Sequence, residues 1–111
     1  MAAQPTLSNF ELMVMLAILR IGDGAYGVSI SDEIEKTTGS EVLLGSVYDA
    51  TNRLEEKGLV ESYLGEATPE RGGRAKRHYR STNKGLKLVR ETQQSLVKLW
   101  KGLPQLKGGE A

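Results

Sequence analysis

The densest run of apolar positions lies near the start of the chain. There Phe10, Met13, Val14, Leu16, Ala17, Ile18 and Ile21 cover most of the circumference of a helical projection. A helix apolar on nearly all sides is buried on more than one of them. In a chain this short the second covering surface can belong to a partner subunit. Ser8-Asn9-Phe10-Glu11 has the capping-box pattern: Ser8 accepts from the Glu11 amide and Glu11 reaches back to the Ser8 amide, with Leu7 and Leu12 as the bracketing hydrophobic staple. Gly22-Asp23-Gly24 stops this first helix at about Ile21. A second helix is predicted from Tyr26 to Thr38, with Ile30 and Ile34 one turn apart and Gly39 as its stop. A third is predicted from Ser46 to Lys57 and ends at Gly58. It turns Val47, Thr51 and Leu54 inward, and Ser46, Asp49, Asn52, Arg53 and Glu56 outward.

Beyond Gly58 the pattern changes. Leu59 to Leu64 reads as a strand, Gly65 to Ala75 as a loop containing Pro69 and Gly72-Gly73, and Lys76 to Ser81 as a second strand. Thr82 can cap a last helix reaching about Leu103, just before Pro104. In that helix Leu86, Val89, Gln93, Leu96, Trp100 and Leu103 recur at alternating spacings of three and four, a heptad seam with one polar position. The seam can pack on its own domain, but a helix of about twenty residues would extend past the small core the other helices supply, so a homodimer is the favoured expectation. Three helices followed by a β-hairpin is the winged helix-turn-helix order, in which the third helix lies in the major groove. The predicted fold is mainly α with a small β-hairpin: a DNA-binding domain over residues 7–82, a dimerisation helix over 83–103 (Leu86, Val89, Leu96, Trp100 and Leu103), and flexible tails at 1–6 and 104–111.

Composition narrows the classes. A chain of 111 residues suits one domain, and 39% hydrophobic with 26% charged residues is ordinary for a globular protein. With no cysteine, disulfides, zinc fingers and thiol nucleophiles are excluded, and a reducing, cytoplasmic setting is expected. Met1 to Thr6 lacks the basic start and apolar stretch of a signal peptide. The longest apolar run, Leu12 to Leu19, has eight residues, against about 20 for a membrane span. His78 is the lone histidine, so no metal cluster or nucleophile–base pair is evident, and no enzymatic activity or cofactor is expected. Gly22-Asp23-Gly24-Ala25-Tyr26-Gly27 matches a dinucleotide-binding pattern but follows a helix rather than a strand, so it reads as a helix break.

The net charge of +1 hides a strong asymmetry. Residues 1–70 carry four basic and twelve acidic side chains, a net of −8, whereas residues 71–111 carry eleven basic and two acidic, a net of +9. From Arg71 to Arg90 there are eight basic residues and no acidic one. A basic face of this kind suits a polyanion such as double-stranded DNA. Arg71, Arg74, Lys76 and Arg77 cluster around the Gly-Gly bend of the predicted wing, where arginines fit phosphates or a narrow minor groove. On the third helix Ser46, Tyr48 and Asn52 can donate to phosphates or bases, and Arg53 can pair with phosphate or with guanine O6 and N7. Two plainer readings stand beside these: Tyr48 as a core residue whose hydroxyl reaches the surface, and Arg53 paired with Glu55 or Glu56.

Several stretches resemble the PadR family of bacterial transcriptional regulators: Ala25-Tyr26-Gly27-Val28-Ser29-Ile30, Gly45-Ser46-Val47-Tyr48, Arg53-Leu54-Glu55-Glu56-Lys57-Gly58-Leu59-Val60, and Pro69-Glu70-Arg71-Gly72-Gly73-Arg74-Ala75-Lys76-Arg77 followed by Tyr79 and Thr82. The resemblance spans roughly residues 7–103 and implies a dimeric winged-helix regulator, usually a repressor, of the short type with one helix after the wing. The chain departs from the family pattern at Thr51, where an apolar residue is usual, and at Asp49, which adds a negative charge to the expected DNA face. The resemblance also implies a small-molecule effector that releases the protein from DNA; the apolar first helix with Met13 and Met15, together with Trp100, can line a pocket at the dimer interface, and the plainer reading of the same residues is a dimer core. The function expected is operator binding at a pseudo-palindrome. The alternative is a winged-helix protein-interaction module with only non-specific DNA affinity, which the weakly charged third helix favours.

Overall fold

The structure, a computed structural model, describes residues 5–65 and 76–106. Its elements run α1 (Asn9–Ile21), α2 (Gly27–Thr38), α3 (Leu44–Glu56), β1 (Val60–Leu64), β2 (Arg77–Ser81) and α4 (Asn83–Trp100). The winged-helix order read from the sequence is therefore present. The capping box forms in full, since the Glu11 amide donates to Ser8 Oγ at 3.1 Å and the Ser8 amide donates to Glu11 Oε1 at 2.9 Å. Leu7 and Leu12 both pack against the core, as a staple should. Thr82 caps α4: its Oγ1 accepts from the Gly85 amide at 3.0 Å and donates to the Gly58 carbonyl at 2.8 Å.

The core gathers Val14, Met15 and Ile18 of α1, Ile30 and Ile34 of α2, Val47, Ala50 and Leu54 of α3, and Leu59, Val60 and Tyr79 of the hairpin. Thr51, the polar residue at an inward position of α3, is fully buried, and its hydroxyl donates to the Tyr48 carbonyl at 3.0 Å. That bond removes the cost of burying a hydroxyl without a partner, which is why a threonine is tolerated there. Arg20 and Glu33 tie α1 to α2 at 2.9 Å.

β1 and β2 are antiparallel, with Ser62 opposite Tyr79 and Tyr63 opposite His78. A third segment joins them, which the sequence pattern did not disclose. Ala25 accepts from the Tyr79 amide at 2.8 Å, and Tyr26 forms a bridge to His78. The turn after α1 is thus an extra edge of the sheet as well as a helix break, and α2 begins one residue later than expected, at Gly27. Similarly, α3 begins at Leu44, two residues before the expected Ser46. Its first bond runs from the Val47 amide to the Leu43 carbonyl, so Ser46 stands inside the first turn instead of starting the helix.

The last helix is shorter than predicted. It stops at Trp100 because Lys101 turns to extended backbone and Gly102 adopts φ 79°, a value that favours glycine. Leu103 therefore lies beyond the helix whose seam it was expected to close. Gly85 is the point at which α4 meets the domain: a Cβ there would collide with the Leu59 carbonyl oxygen. Val89 is buried in the core of the domain, whereas Leu86 is only partly covered.

Candidate nucleic-acid interface

The outward face of α3 carries Ser46, Asp49, Asn52 and Glu56, all exposed, flanked by Tyr48 and Arg53. Tyr48 is 43% exposed, and its ring lies over Gly27 at the start of α2, where a Cβ would sit 2.6 Å from the hydroxyl. Tyr48 thus has a packing role as well as a free edge. Ser46 and Asn52 are exposed and available to donors or acceptors from outside.

Arg53 is paired, but not with a neighbour on its own helix. Its Nε donates to Glu11 Oε2 at 2.9 Å, rather than to the neighbouring Glu55 or Glu56. Glu11 is the single buried carboxylate among the described residues, with its side chain only 3% exposed. It also accepts from Lys57 Nζ at 2.8 Å, and Lys57 donates in turn to the Thr6 carbonyl at 2.8 Å, so Thr6 is anchored and is not part of a free tail. Burial alone would raise the carboxyl pKa. The hydrogen bonds from Lys57, from the Ser8 amide and from Arg53, with the charge of Lys57, outweigh it and lower the pKa to about 2 from 4.5. The ion pair ties the first turn of α1 to the last turn and C-cap of α3. Spacing along either helix could not reveal it, because the partners are 42 and 46 residues apart.

The root of the wing is similarly tethered. Arg77 Nη1 donates to Ser62 Oγ at 2.8 Å, and Ser62 Oγ donates to Glu55 Oε2 at 2.7 Å, linking β2 through β1 to α3. Lys76 Nζ lies 4.4 Å from the centre of the Tyr26 ring, a cation–π contact. His78 is held between aromatic neighbours, its ring centre 5.8 Å from Tyr26 and 5.3 Å from Tyr63. It is a structural part of the sheet face. Arg71 and Arg74, expected at the wing tip, lie outside the described residues.

Past its docking point α4 leaves the domain, and Leu96, Val97, Leu99 and Trp100 are exposed, with Leu99 at 74% and Trp100 at 58%. Leu103 and Leu106 add to this apolar surface, and a recess of about 680 Å³ lies among Val97, Trp100, Leu103, Pro104 and Leu106. A separate groove of about 250 Å³ lies between α1 and α2, lined by Met13, Leu16, Ala17 and Ile34. The three residues expected to share an effector pocket do not meet within the chain. Met15 is fully buried in the domain core, Met13 lines the α1–α2 groove, and Trp100 lines the recess at the end of α4.

Among the described residues no group of histidine and acidic side chains is arranged to hold a metal ion, and no helix is long and apolar enough to cross a membrane. The transcriptional regulator PadR-like family matches residues 15–91 of the chain. Among solved structures, a PadR family transcriptional regulator from Eggerthella lenta DSM 2243 is similar at 26% identity over 85% of this chain and 80% of that one, with a TM-score of 0.66. A PadR-like transcription factor from Bacteroides fragilis is similar at 26% identity over 81% and 82%, with a TM-score of 0.69. A transcriptional regulator from Clostridium thermocellum is similar at 27% identity over 82% and 85%, with a TM-score of 0.66. No curated protein matches the chain by sequence.

Proposed function

The chain belongs to the PadR-like family of transcriptional regulators, and from that premise we propose that it binds a pseudo-palindromic operator as a homodimer and represses the promoter it covers. Its work is DNA-binding regulation of transcription, not catalysis. The observation that carries the finer reading is the apolar surface of the free half of α4. Leu96, Val97, Leu99 and Trp100 stand exposed on a helix that has already left its own core. An apolar patch of this kind on a small domain marks an interaction surface. A second copy related by two-fold symmetry covers it with the same surface and sets two recognition helices on one face. In this reading Leu86, Leu96, Trp100 and Leu103 contribute to the subunit contact, and Val89 supports the helix from within its own domain.

DNA is held by Ser46, Tyr48, Asn52 and Arg53 from α3 and by Arg71, Arg74, Lys76 and Arg77 from the wing. Residues 7–82 form the DNA-binding unit, and the following helix forms the dimerisation unit. A small-molecule effector acts at the subunit contact, with Trp100 at its rim. The test is recovery of fragmented genomic DNA on the purified protein at physiological salt, followed by sequencing. Enrichment of a pseudo-palindrome near promoters supports the operator reading. Recovery without enrichment favours a protein-interaction module, a reading to which the acidic Asp49 and Glu56 on the face of α3 lend some weight.

A further inference from the structure

We propose that Glu11 is a positioning residue for DNA recognition: it grips Arg53 by Nε and so presents the remaining edge of the guanidinium to the nucleic acid. The proposal rests on the reading of α3 as the DNA-facing helix. Both carboxylate oxygens of Glu11 are engaged. Oε1 accepts from the Ser8 amide at 2.9 Å and from Lys57 Nζ at 2.8 Å, and Oε2 accepts from Arg53 Nε at 2.9 Å. The carboxylate is therefore fixed even without Arg53, because the capping amide and Lys57 hold it in place.

The arginine is fixed at one end only. Its side chain is 48% exposed, and among the described residues only Nε is engaged. A guanidinium has five donors in a rigid plane, so it can bond one carboxylate through Nε and a phosphate or guanine through its Nη groups together. An ammonium is a point charge without that second, fixed edge. The outward face of α3 otherwise presents Asp49 and Glu56. A correctly aimed arginine is what lets so weakly basic a helix read DNA. Holding the side chain in advance also removes part of the ordering cost that binding would otherwise incur.

The opposite role is physically reasonable and gives the opposite sign. If Glu11 merely masks Arg53, neutralising it frees a cation, and binding to every DNA tightens because the protein gains positive charge. The experiment takes the full chain, selects preferred duplexes from a random pool with the wild-type protein, and measures affinity for the selected duplex and for a random duplex. It does so for wild type, E11Q, R53K and the double variant, below the melting transition of each. In E11Q the amide keeps the capping geometry. In R53K the charge is kept, and the buried Glu11 keeps Ser8 and Lys57, so this variant folds independently of the fate of E11Q.

Positioning predicts that each single variant loses about tenfold in preference for the selected duplex. The double variant should lose no more than either single one, because the two residues act as a unit. The slope of affinity against salt should stay unchanged in R53K. Tighter binding by E11Q, equal selectivity in R53K, or additive losses in the double variant would overturn the proposal. Failure of the wild-type protein to select any duplex would remove the DNA-facing premise instead, and the positioning role with it.

Discussion

Neutralising Glu11 tests the energetics of the domain as well as its recognition. The carboxyl pKa falls from 4.5 to about 2 on folding. Each unit of such a difference is worth about 1.4 kcal/mol, so the ionised carboxylate contributes about 3 kcal/mol of stability. Because the folded value is depressed, this contribution is complete above pH 4.5 and is lost as pH falls towards 2. Breaking a buried ion pair typically costs about 3–5 kcal/mol. Arg53 and Lys57 keep 48% and 30% of their side chains exposed and can be rehydrated, so the low end of that range is expected. The assay is urea unfolding of wild type and E11Q at fixed protein concentration and ionic strength, since the stability of the proposed dimer would depend on concentration. A gap of about 3 kcal/mol at pH 7 should narrow steadily below pH 4.5 and nearly close by pH 2. A gap that does not depend on pH, or one under about 1 kcal/mol at pH 7, would show that the ion pair is not what the burial of Glu11 depends on.

Other perturbations probe separate parts of the molecule. Gly85→Ala forces a Cβ onto the Leu59 carbonyl and should destabilise the domain by about 1–3 kcal/mol in a thermal melt. Gly45→Ala meets open space in the first turn of α3 and should instead stabilise it by about 0.4–1 kcal/mol. Under the proposed homodimer, Leu99→Asp at the free end of α4 should shift the protein from dimer to monomer in analytical ultracentrifugation. In the wild type, Trp100 emission should move to shorter wavelength as dimer forms with rising concentration. Replacing Arg71, Arg74, Lys76 and Arg77 by alanine should weaken binding to all sequences and flatten its salt dependence by about 0.9 in log–log slope for each phosphate that is no longer neutralised.

Local signals carried the fold well. The Ser8–Glu11 box, the Thr82 cap and the glycines after α1 and α2 mark boundaries through bonds between near neighbours, and those bonds form as their spacing implies. The misplaced boundaries share a different cause. Leu43 begins α3 with no side-chain cap at all, and the stop at Gly102 comes before Pro104 can act. Pairing between Tyr26 and His78 was likewise invisible, since nothing in Gly22 to Tyr26 alternates like a strand. Backbone pairing of a short irregular segment is set by the chain it lies against, and that chain is some fifty residues away.

The same distinction explains why the candidate site was legible only in outline. The type and exposure of Ser46, Asn52 and Tyr48 follow from the helical period of α3. The partner of Arg53 does not, because it is chosen by where α1 crosses α3. Glu11 looked complete as a helix cap, and one of its oxygens does accept from the Ser8 amide. Its other duties arise only in three dimensions, where the cap of one helix becomes the anion that fixes two cations of another. A shift of α1 would therefore reach Arg53 directly. The groove residues Met13 and Leu16 lie on that same helix, with Leu16 43% exposed. A subunit or ligand that displaced α1 along its axis would act on Arg53 through Glu11. Under the proposed function, that makes the Glu11–Arg53 pair a direct physical link between α1 and the reading of DNA.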